Sequence, residues 1–84
     1  MRKTKYVIVD GNAIVFSELI THADMVGRYQ KAQGAGFVHF KIGKDSYDHP
    51  TIIAKCYGLS VSLGVESREE DSEIVTRQIS NPHY

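Results

Sequence analysis

The chain has 84 residues, 42% of them apolar and 24% charged, ordinary globular usage that excludes a disordered, low-hydropathy segment. Ten basic and ten acidic residues cancel, so the whole-chain positive field that draws proteins onto phosphate backbones is missing and nucleic acid is disfavoured as a partner. The lone Cys56 excludes an intrachain disulfide, no apolar run approaches the roughly 18–20 residues of a membrane span, and no signal-peptide core follows Met1-Arg2-Lys3; the expectation is one cytoplasmic domain over 1–84.

Tyr6-Val7-Ile8-Val9 and Ala13-Ile14-Val15-Phe16 favour β structure, and the Asp10-Gly11 pair between them is a hairpin signal because glycine accepts positive φ. Strands are predicted at 5–10 and 13–17. Ser17 reads as the N-cap of an amphipathic helix over 18–29, with Leu19, Ala23 and Val26 at i, i+4 and i+7, although the same residues also suit a short helical turn followed by a strand. Phe37–Ile42 reads as a strand, followed by a polar loop over 43–50. Thr51–Tyr57 is expected to pair antiparallel with 36–42. Leu59, Val61, Leu63 and Val65 alternate with Ser60, Ser62 and Gly64, which predicts a half-buried strand. Ser67-Arg68-Glu69-Glu70 matches a capping box opening a helix over 68–79, with acid in its first turn and Arg77 in its last. The pattern is α+β: a small, mostly antiparallel sheet of four or five strands packed against one or two helices.

Chemistry-bearing residues are sparse. Cys56 shares strand parity with Ile52 and Ala54, which points it at the core and away from nucleophilic work. His22, Asp24, His39, Asp48 and His49 are ligand types without ligand spacing, and no metal or cofactor is expected. His22 and Asp24, two apart, do not face each other on a helix. Ser60, Ser62, Ser67 and Arg68, on a Ser/Gly-rich strand end that opens onto a helix, suit a phosphate or nucleotide, with Glu69-Glu70-Asp71 opposing it. Charge is uneven along the chain: residues 1–42 hold six Lys/Arg and three Asp/Glu, and residues 43–84 four and seven. Five tyrosines exceed what so small a core absorbs, and tyrosine favours interfaces, which nominates Tyr29 and Tyr47, with Phe40, for a docking surface on a sheet face or edge.

Three segments carry a resemblance: Phe16 through Asp24, Ala35-Gly36-Phe37, and Tyr57 through Gly64 with Ser67-Arg68-Glu69-Glu70-Asp71. Together they resemble a family of short bacterial and prophage-encoded proteins, from which Tyr57 (Trp is expected there) and the loop 43–50 depart. The resemblance implies an accessory protein that binds and blocks a host protein, or one that sequesters a small molecule. The leading expectation is therefore a non-enzymatic binding protein that inhibits a host partner, folded by itself or as a small symmetric oligomer such as a homodimer. A module for a nucleotide or other phosphate-bearing ligand is the alternative, and a small Cys/His enzyme stands behind both.

Overall fold

The computed structural model describes residues 3–27, 31–44 and 46–80. Strands β1 (Thr4–Val9) and β2 (Asn12–Ser17) are joined by Asp10 and Gly11 at φ 52° and 77°, the paired positive values of a turn whose twist suits a hairpin. Helix α1 (His22–Val26), β3 (Gly34–Lys44), β4 (Pro50–Tyr57), β5 (Leu59–Ser60), β6 (Val65–Glu66) and α2 (Glu69–Ser80) follow. Four strands make an antiparallel sheet in the order β2-β1-β3-β4, and β5 and β6 pair separately, so the chain is α+β as its pattern predicts.

Interior strand β1 explains why Tyr6 to Val9 are all apolar: both of its faces are covered. Tyr6 and Ile8 pack with Ala13, Val38, Ala54 and Val75 on the α2 side. Val7 and Val9 pack with Phe16, Val26 and Ala35 on the other side, where Leu63 and Val65 close over them. Helix α2 also reaches both sheet edges. On β4 the Cys56 and Ala54 amides donate to Ser72 Oγ (2.8 Å) and Thr76 Oγ1 (2.9 Å). On β2 the Gln78 side chain accepts from the Ala13 amide (2.8 Å) and donates to its carbonyl (2.6 Å). The sheet thus curls until its two outer strands meet one helix, and edge groups that would template a further strand are occupied. Docking through an edge is closed at these positions.

Of the two forms expected over 18–29, the described residues take the short helical turn, α1, ahead of strand β3, because Ser17, expected as the N-cap, folds the chain into a turn, accepting from the Leu19 amide on Oγ and the Ile20 amide on its carbonyl; residues 28 and 29 lie outside the described residues. Thr21 takes the N-cap, its side chain accepting from the Asp24 amide at 3.1 Å. The strand expected over 59–65 is a tight hairpin: Ser60 Oγ accepts from the Leu63 amide, its carbonyl from the Gly64 amide, and Gly64 turns at φ 67°. Local serine bonds outcompete the extended ladder, and Val61, aligned with Leu63 and Val65 by period two, is 88% exposed. The expected capping box between Ser67 and Glu70 gives way to half of one a residue later: the Asp71 carboxylate accepts from the Arg68 amide (3.0 Å), while the Asp71 amide donates to the Arg68 backbone carbonyl (3.1 Å) because arginine offers no side-chain acceptor.

Asp71 is wholly buried. Tyr6 donates its hydroxyl to Oδ2 (2.6 Å), and the Arg68 guanidinium reaches Oδ1 through Nε (2.9 Å) and Nη2 (2.8 Å). Burial first, and then the bond to this carboxylate, push the Tyr6 phenol well above its usual range. Burial also raises the Cys56 thiol. Above the ordinary values of about 8.5 for Cys and 10 for Tyr, the unfolded chain gives up protons that the folded chain keeps, so stability falls as pH rises. Urea midpoints are expected to drop between about pH 9 and 12, and Tyr6→Phe, less stable at neutral pH, is expected to lose the part of that drop beyond about pH 10.

Candidate functional site

Register builds the site. Lys5 pairs with both Phe16 and Phe37, and Phe37 with Tyr57, so Phe16, Lys5, Phe37 and Tyr57 form one row across the sheet on the face away from α2. Phe37 and Tyr57 stack at 5.8 Å between ring centroids and 28° between planes. Lys3 Nζ stands 5.1 Å from the Phe37 centroid, a cation–π distance. Lys5 Nζ donates to the Ile20 carbonyl (2.9 Å), which anchors the turn ahead of α1.

His22 closes the inner end of this row. It is buried, its Nε2 lies 2.8 Å from the Gly36 carbonyl, and its ring meets Phe16 and Phe37 edge-on. Gly36 allows this close approach of strands, since a Cβ there would stand 2.5 Å from the Tyr57 carbonyl. The turn between β5 and β6 forms the far wall: Ser62 Oγ accepts from the Ala23 amide (3.2 Å) and ties the turn to α1. Between these parts lies an open cleft of about 560 Å³, with Lys3, Lys5, Phe37 and Tyr57 on one side and Leu59, Val61 and Ser62 on the other. Tyr57 is 44% exposed, so its ring is available to a ligand.

This arrangement can bind; nothing in it assembles a nucleophile with its base. Cys56 packs against the cluster beneath α2, while His22 sits on the opposite face of the sheet. Among the described residues no group of three His, Cys, Asp or Glu is placed to hold a metal ion, and no helix is long and apolar enough to cross a membrane.

The four anion-site residues expected from sequence do not converge. Ser62 lines the cleft, but Ser60 is buried beneath the β5–β6 turn, and Arg68 spends its guanidinium on Asp71. Ser67 donates its amide to the Gly58 carbonyl behind the cleft (3.0 Å). Of the docking residues, Tyr29 lies outside the described residues, Tyr47 is exposed at the tip of the β3–β4 hairpin beside His49, and Phe40 lies partly exposed on the hairpin's α2-side face. Tyr6, one of the five tyrosines, is core. Lys3 and Lys5 belong to no motif, and Phe37 stands in a resembled segment and a predicted strand without being singled out for a site; cross-strand register brings Lys5 to Phe37, and Lys3 Nζ stands over the Phe37 ring.

No family model, no curated protein and no solved structure matches this chain.

Proposed function

We propose that this protein is a non-enzymatic binding module for a phosphate-bearing ligand with a planar ring, a nucleotide in chemical class, held in the cleft. The observation that carries the reading is the stacked Phe37–Tyr57 pair flanked by Lys3 and Lys5 at an open cleft, aromatic surface for a ring beside cations for a phosphate. Titration with AMP, followed by amide NMR shifts, is expected to move Phe37, Gly58 and Leu59. Tyr57→Ala and Lys3→Gln should each weaken binding, the aromatic change by about 1–3 kcal/mol. Shifts confined to residues 67–70 would return the anion to Ser67 and Arg68 and sink the cleft reading.

A second reading rests on a different surface. Phe40, Ile42 and Ile52 share the α2-side face of the β3–β4 hairpin, where Ile42 and Ile52 are cross-strand partners exposed by 81% and 47%. Beyond the helix this apolar stripe has no cover among the described residues. A second copy of the chain fits it: two such stripes are self-complementary about a two-fold axis, and a chain of zero net charge brings no overall repulsion. Sedimentation is expected to show a dimer that Ile42→Lys splits. A wild-type monomer would instead reserve Phe40 and Tyr47 for a foreign protein, the host partner that the resembled family implies.

A further inference from the structure

We infer that the ligand of the basic sheet face is a single-stranded nucleic acid, its bases on Phe37 and Tyr57 and its phosphates along the lysines of the β3–β4 hairpin, an inference that rests on the cleft reading above. The row of basic residues does not stop at the cleft. His39 and Lys55 are cross-strand partners one step beyond Phe37 and Tyr57, Lys41 follows, and all three are exposed on that same face. At about 3.3 Å per residue the track from Phe37 to Lys41 adds about 13 Å to the cleft, longer than one nucleotide needs.

Sorted by face, the charges explain why a neutral chain can still take a polyanion. Among described strand residues, this face of β1, β3 and β4 carries no Asp or Glu; the exposed Asp24 on α1 and Glu66, the cross-strand partner of Leu59 on β6, belong to elements packed on this side. Glu69, Glu70 and Glu73 lie on α2, which packs on the other side. Glu18, next to Lys3, has its carboxylate on the Lys3 amide (3.1 Å). With a Debye length of about 8 Å in physiological salt, a phosphate senses the local lysines rather than the net charge. Exposed aromatic surface among cations distinguishes nucleic acid from an acidic peptide, because every base offers a π-face to stack, and stacking here requires unpaired bases.

The test is fluorescence anisotropy of a labelled oligothymidylate of about twelve nucleotides, beside dTMP as the single-nucleotide control. The oligonucleotide is expected to bind at least about tenfold tighter than dTMP, with a log–log salt slope near −3 if Lys3, Lys5, Lys41 and Lys55 each meet a phosphate. Tyr57→Ala should weaken it about 5- to 100-fold. The exposed pair Lys41→Gln/Lys55→Gln should halve the slope while leaving dTMP affinity and the melting temperature unchanged. Equal affinity for both probes, with no effect of the Lys41 and Lys55 changes, would overturn the inference and leave the cleft reading standing. No binding of either would remove both. A poly-glutamate peptide of equal charge that competes as well as the oligonucleotide would overturn it in favour of an acidic protein.

Discussion

Asp71→Ala is expected to destabilise the protein by about 3–5 kcal/mol, the largest effect of any single polar substitution considered. The carboxylate accepts from the Tyr6 hydroxyl, the Arg68 amide and the Arg68 guanidinium while wholly buried. Its removal strands a buried phenol and leaves the guanidinium without its counter-charge. Asp71→Asn keeps the volume and one acceptor and should fall between wild type and Ala. Urea denaturation at pH 7 measures both. Losses below about 1 kcal/mol for Ala would mean that water replaces the carboxylate and the network is not buried in solution. The change should also reach the site, because Ser67, next to Arg68, holds the Gly58 carbonyl at the back of the cleft.

Gly34→Ala should cost about 1–3 kcal/mol for a related reason. Gly34 pairs with Ile8 on β1, and a Cβ built on it runs into the Asp71 carboxylate. Since that carboxylate is pinned by four donor atoms, it cannot retreat without losing them. The two substitutions should therefore couple: in an Asp71→Ala background the methyl has room, and the Gly34→Ala penalty should shrink by more than the about 0.5 kcal/mol scatter of independent sites. An unchanged penalty would place the resistance in the strand backbone instead of the carboxylate.

The site was far less legible than the fold. Ser60, Ser62, Ser67 and Arg68 looked like an anion cradle because hydroxyls and a guanidinium cluster in sequence near a helix start. Three-dimensional placement gives most of them internal work: Ser60 caps a turn, Ser62 staples that turn to α1, and Arg68 neutralises Asp71. Conversely, Lys3, Phe37 and Tyr57 are far apart in the chain, and the strand patterns that hold Phe37 and Tyr57 do not say that the two meet. Only antiparallel register sets Lys5 beside Phe37 and Phe37 beside Tyr57. Phe40 and Tyr47 were chosen for surface chemistry, and both are at least partly exposed.

What the amino-acid order determined by itself is local and short-ranged. Four apolar residues from Tyr6 to Val9, with Asp10-Gly11 behind them, commit the chain to a hairpin because one turn type and one strand length satisfy them. Acidic residues at the start of α2 and Arg77 near its end commit that helix through its dipole. Tertiary structure decided the rest, wherever local preferences were balanced. The alternating residues 59–65 became a hairpin because serine side-chain bonds were available and the core needed only Leu63 and Val65. Charge behaves in the same way: composition sums ten basic and ten acidic residues to zero, whereas strand register places Lys5, Lys41 and Lys55 on one sheet face and α2 carries glutamates against the other. Such separation depends on which residues become neighbours across strands, and the order of residues along one strand holds no record of it.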